Sequence, residues 1–245
     1  MSALLQAELL KLRTTRTFYV LVGSGLALSL ALLVLNTLLT DDFSERDVRV
    51  AFAGDFTGIF ILLLGAMGMA GEWRHKTITS TILASPDRLK LIAAKTISYA
   101  VAGMVVSFIV TASLMLVGTI ILSARDQTTL DVATLVDIMW RNLVVAAYLG
   151  AIGVAIGAIV RNQVAAIVGL LMFPFVVELT LFGLVPEVAK FSPFNGAPGG
   201  IVDVSFDGGE NDDFLDPGVA ALVMFGWVSV LFALGALLLQ RRDLT

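Results

Sequence analysis

Six stretches of the chain are apolar for about as long as a helix needs to cross a bilayer, roughly 20 residues. They cover residues 18–39, 51–71, 97–122, 143–160, 164–185 and 219–239. Only 15% of the residues are charged and 58% are hydrophobic, where soluble domains carry roughly 25% charged residues. The pattern predicts an all-α polytopic membrane protein, a single domain over 1–245 with six transmembrane helices. The first run follows a basic N-terminus but exceeds the apolar core of a signal peptide, and no small-residue cleavage site follows it closely, so it reads as a retained span. The absence of cysteine excludes disulfides and thiolate metal sites.

Charge is distributed unevenly between the loops. With a cytoplasmic N-terminus, 11 of the 16 basic residues fall on the inner side: Lys11, Arg13, Arg16, Arg74, Lys76, Arg88, Lys90, Lys95, Arg161, Arg241 and Arg242. Excess Lys and Arg near span ends marks the cytoplasmic face, so both termini are expected there. The acidic residues gather on the other side, and nothing suggests a nucleic-acid partner.

Residues 2–16 place Leu5, Leu9 and Leu12 on one helical face and Glu8 and Lys11 on another, the pattern of an amphipathic helix lying at the membrane interface. The fourth run has Gly153 and Gly157 in G-x-x-x-G spacing, and the second has Gly65, Gly68 and Gly71. Small residues let helices approach closely in lipid, and packing within the chain is the expected use. Only Arg161, Asn162 and Gln163 separate the fourth and fifth runs, which requires a tight helical hairpin. The outer segment 186–218 begins with Pro- and Gly-broken apolar residues, expected as short helices at the outer surface. It continues into an acidic loop whose spacing does not fit an EF-hand.

The chain has no phosphate-binding G-x-x-x-x-G-K-[ST] loop, so ATP hydrolysis by this chain alone is not expected. His75 is the only histidine, which excludes two-histidine zinc sites. Two acids lie inside apolar runs, Asp55 and Glu178. Charges in spans are costly and are functional suspects by default, so both are candidate substrate-path residues, expected in the outer leaflet because each lies near the outer end of its run.

Between the second and third runs lies a charged knuckle, 72–91. Ser85, Pro86 and Asp87 read as a helix start, with Ser85 as N-cap and Pro86 at the first helical position. Before it, Ile78 and Ile82 form one apolar stripe on a short helix. The chain therefore leaves the membrane, forms a short helix, breaks and returns.

The run Glu72, Arg74, Thr77, Leu83, Pro86, Arg88 and Lys95 resembles the segment after the second span in the type 2 ATP-binding-cassette (ABC) exporter permeases. The closing "LLLQRRDLT" resembles that family's ending. One departure is Lys76, which stands where the family often has glycine. The resemblance implies a permease subunit whose knuckle is a coupling helix seated in a separate ATPase subunit. Two ATPase copies and a second permease copy, identical or not, would complete the exporter. ATP and Mg would be bound by the partner, with no cofactor in this chain, and the location would be a bacterial-type plasma membrane. Glu72, Arg74, Thr77, Ile78, Ile82, Pro86 and Arg88 are the expected coupling residues. The implied activity is export of a hydrophobic or amphipathic substrate such as a drug or antibiotic; a self-contained carrier or a non-catalytic scaffold is the alternative.

Overall fold

In the hydrocarbon of a bilayer every backbone polar group needs a partner from the protein itself, and continuous helices supply one. The computed structural model describes residues 1–40, 43–84, 87–203 and 214–241, and all the regular structure among them is helical. Six helical units are long and apolar enough to span a membrane: Arg16–Leu39, Glu45–Arg74, Arg88–Ala124, Val132–Ile159, Gln163–Leu184 and Pro217–Arg241.

A helix α1 (Ser2–Thr14) precedes the spans, and extended Thr15 forms the elbow to α2 (Arg16–Leu39). The second unit is not one continuous helix. It consists of α3 (Glu45–Ala53) and α4 (Thr57–Arg74), interrupted at residues 54–56. A capping box fixes the start of α3: the Ser44 hydroxyl accepts from the Asp47 amide, and the Asp47 carboxylate accepts from the Ser44 amide. After the knuckle helix α5 (Ile78–Ala84) comes α6 (Arg88–Ala124). Its 37 residues amount to about 55 Å at 1.5 Å per residue, well beyond the hydrocarbon thickness.

α4 and α6 both pack closely on α7 (Val132–Ile159), the most buried of the spans. Small residues make this packing close. A Cβ on Gly153 would lie 2.2 Å from the Leu62 carbonyl oxygen, and one on Gly157 2.6 Å from that of Ala66. The G-x-x-x-G pair thus faces α4 of the same chain, as the sequence suggests.

The fifth unit begins as α8 (Gln163–Met172), widens into a π-helical stretch over Phe173–Glu178, and ends as α9 (Leu179–Leu184). Pro174 lies in the widened stretch, where its missing N–H disturbs the ladder. The short helices α10 (Pro186–Ala189) and α11 (Gly196–Val202) follow. They do not both rest on the surface as expected: α11 is buried along its whole length, wedged against α7 and the last helix, α12 (Pro217–Arg241). Most of the acidic loop lies outside the described residues.

The packing gives a contrast of two glycines. Gly153→Ala is expected to cost at least about 1–3 kcal/mol through overpacking against α4. Gly169→Ala, with nothing within 4 Å, should be neutral or stabilising by up to about 1 kcal/mol through helix propensity. Thermal unfolding in detergent checks both, and equal midpoints would refute the close-contact assignment.

Candidate functional site

The segment of α6 about two turns from its start and the last turn of α4 converge at the end of the bundle that carries the knuckle. Four charged side chains meet there. Lys95, 1% exposed, donates to Glu8 Oε2 at 2.6 Å and to Glu72 Oε1 at 3.0 Å. Lys11 donates to Glu8 Oε1 at 2.8 Å and to Glu72 Oε1 at 3.1 Å. Two carboxylates and two ammonium groups give the cluster no formal net charge, which makes their burial tolerable. Burial raises the Glu8 pKa, but the Lys95 charge and hydrogen bonds from Lys11 and Lys95 outweigh it and hold the carboxyl below its ordinary value. For Lys11, burial and the Lys95 charge pull the pKa down, while both carboxylates pull it up and prevail.

This arrangement sets which face of α1 packs on the bundle. Glu8 and Leu12 are buried, while Leu9 and Leu10 are exposed. The helix is therefore docked through Glu8, which pairs with the cation on α6, and through Leu12, which enters the core.

Glu72 also shapes the knuckle. Its backbone carbonyl accepts the Thr77 amide at 2.9 Å, and the Trp73 carbonyl accepts the Lys76 amide at 3.2 Å. This paired 6→1 and 5→2 pattern is a Schellman motif, which places its penultimate residue in the left-handed region. Lys76 occupies that position at φ 56°. Glycine is favoured there because it has no Cβ to clash, a physical reason for the glycine that the resemblance leads one to expect.

Arg74 donates to Gln163 Oε1 at 3.3 Å, and the Arg161 guanidinium stacks 4.8 Å from the Trp73 ring centre. Asn162 caps α8 by accepting from the Val164 and Ala165 amides. All three residues of the tight hairpin are thus in use, two of them against the end of α4. Arg88 donates to the Leu239 carbonyl at 2.7 Å and to that of Gln240 at 3.3 Å. It satisfies the last turn of α12, where a cation is also favoured by the helix dipole.

Other expected residues take different roles. Ile78 and Ile82 are buried in the chain's own core, so their stripe holds α5 to the bundle, and the apolar residue that α5 presents outward is Leu83, 77% exposed. Ser85 and Pro86 lie outside the described residues. The third long helix begins two residues later than expected: Asp87 is its N-cap, accepting from the Lys90 amide at 3.0 Å, and Arg88 is its first residue.

Asp55 lies deeper than the shallow position expected of it, while Glu178 keeps its place near the end of the fifth unit and is buried there. Asp55 lies at the α3–α4 break and accepts from Thr111 at 2.7 Å and Ser107 at 3.3 Å. Thr111 is 13 residues from the end of α6, about 20 Å along the helix, because α3 continues outward beyond Asp55 and packs Phe52 beside Gly118. Glu178 is 0% exposed and accepts from the backbone amides of Asn195 at 2.7 Å and Phe194 at 3.1 Å. The Asn195 side chain donates to the Pro174 carbonyl at 3.0 Å. Glu178 thus ties the turn before α11 to the widened fifth span, with both oxygens engaged.

Residues 31–244 match the family described as ABC-2 family transporter protein. The chain belongs to that family. It is a multi-pass membrane protein of the permease family of ABC-2 type transporters, and so a transmembrane subunit, with association to an ABC ATPase implied. Comparison with curated proteins gives no match.

Lys95→Met leaves two buried carboxylates facing one ammonium, and a loss of about 3–5 kcal/mol is expected. Glu8→Met with Lys95→Met leaves the neutral Lys11–Glu72 pair and should lose less. Unfolding midpoints in detergent test the order, and a double variant less stable than Lys95→Met would contradict it. A depressed carboxyl pKa stabilises the fold fully above its unfolded value, and that stability is lost as pH falls through the folded value. Docking of α1 should therefore weaken as pH drops below the ordinary 4.5 of Glu8, read by a fluorophore at residue 3, and Glu8→Gln should flatten the response.

Proposed function

We propose that the chain forms the translocation route of an ABC exporter for a hydrophobic or amphipathic substrate, energised by a separate ATPase that docks on the knuckle. One observation carries this reading: the short α5 exposes Leu83, while the residues on either side of it are wired to elements far apart in sequence. Glu72 reaches α1 and α6, Arg74 reaches α8, and Arg88 reaches α12. A displacement of α5 is therefore shared by much of the bundle instead of being absorbed in a loop.

Thr77 and Arg74 are the hinge side of this device, Ile78 and Ile82 its attachment to the core, and Leu83 its outward contact. The knuckle end is cytoplasmic, as the excess of basic residues there supports, and both termini lie on that side of a bacterial-type plasma membrane. A second permease copy, identical or not, faces this one, and two ATPase copies bind ATP and Mg. Drug or antibiotic efflux agrees with the apolar character of the spans.

Thr77→Pro removes the amide that closes the Schellman motif, and Arg74→Glu breaks the link to Gln163. Both are expected to leave membrane insertion intact and to reduce transport per ATP hydrolysed at least about tenfold, a barrier change of roughly 1.4 kcal/mol. The assay is ATPase activity and substrate export of the co-purified complex in proteoliposomes, with mass spectrometry of what co-elutes. A preparation that transports at full rate with no ATPase partner would overturn the reading.

A further inference from the structure

We propose that Asp55 anchors a binding site for an alkali metal cation, built where the second span breaks. The site lies in the core of a single chain, so the inference goes beyond the transport reading and does not require it.

The starting point is an uncompensated carboxylate. Asp55 sits midway along α6, and no Lys, Arg or His among the described residues pairs with it. Its neighbours are neutral: Ser107 and Thr111 donate to Oδ2. An ionised carboxylate at this depth costs several kcal/mol unless a counter-charge accompanies it.

The surrounding atoms are oxygens suited to that counter-charge. The Thr57 hydroxyl and amide both lie at the Asp55 carboxylate. Thr57 is 1% exposed, and its hydroxyl has no hydrogen-bond partner among the described residues. A threonine of this kind is costly to bury, and a cation would use its lone pairs. Asn142 Nδ2 bridges the Phe52 carbonyl, at 3.2 Å, and Thr111 Oγ1, at 3.3 Å. It brings the Phe52 carbonyl, near the C-terminal end of α3, towards Thr111. The Ser29 hydroxyl holds the break itself by accepting from the Phe56 amide at 3.1 Å.

The C-terminal end of one half-helix, an unwound segment, hydroxyls and one acid are the elements from which intramembrane monovalent-cation sites are made. The donor set also selects the charge. Divalent ions take several carboxylates, and no group of three acidic, histidine or cysteine residues suited to a metal occurs among the described residues. One carboxylate with neutral oxygens balances a single positive charge. Bound there, the cation would tie the α3–α4 break to α6.

The test is thermal unfolding of the purified chain in detergent, in lithium, sodium or potassium chloride against choline chloride at equal ionic strength. With a cation about tenfold above its Kd, the wild-type midpoint should rise by about 3–6 °C over choline. Asp55→Asn should abolish the rise. Thr57→Val should also abolish it. A purely structural Asp55 would not make that second variant blind to cations. Should Asp55→Asn fail to fold, Thr57→Val and Ser107→Ala decide the matter. A wild-type midpoint equal in all four salts, including one that follows pH alone, overturns the site, as does a rise retained by Thr57→Val. Neither result bears on the ATPase assays.

Discussion

An ammonium group cannot be left alone inside a helical bundle, and much of the knuckle end follows from where Lys95 finds its counter-charges. It draws Glu8 from the first helix and Glu72 from the end of the second span, 87 and 23 residues away. Lys11 then balances the surplus negative charge. Because breaking one partner of such a cluster costs more than the cluster contributes as a whole, its value lies in fixing an arrangement. α1 can dock in one register only, with Glu8 inward, and the last turn of α4 is held at the point where the chain turns into the knuckle.

A second constraint is distance. In lipid there is no hydrophobic drive between helices, so van der Waals contact and shape hold them together. The glycines of α7 bring it against α4 at backbone separation, and α6 closes the other side. The outer spans show much less burial and present their apolar faces outward. The result is a tight inner group of three helices with looser ones around it. Polar ties at its ends complete the arrangement: Arg88 on α12, Gln163 under Arg74, and Glu178 under the turn before α11.

The knuckle joins these two features. Its hinge is a left-handed Lys76 beside a carbonyl of the same Glu72 that enters the charge cluster. A local turn and a long-range ion network therefore share one residue. The residues flanking α5 are hydrogen-bonded to the cluster, to the hairpin at 161–163 and to the end of α12. On the proposed reading, this distribution of contacts is what would distinguish a transmitting segment from a loop that merely reverses the chain.

The number of spans, their helical nature, the tight hairpin and the use of Gly153 and Gly157 were legible in the sequence, because hydropathy and small-residue spacing act locally. The knuckle residues and the closing "LLLQRRDLT" also pointed to the family. Other features required the third dimension. Ile78 and Ile82 form the same stripe whether it faces a partner or the chain's own core. Glu8 looks solvent-facing until Lys95 is placed beside it. Asp55 looks shallow when depth is counted along one apolar run, and α3 is what carries the chain onward and leaves the acid at mid-helix. Glu178 reads as an intramembrane charge until the amides of Phe194 and Asn195, 16 and 17 residues on, close around it. The sequence by itself determined which segments enter the membrane, since transfer free energy is a sum over residues. Which buried charges meet, and which faces remain open, was decided only by tertiary packing, because pairing energy depends on distances between residues that are remote in the chain.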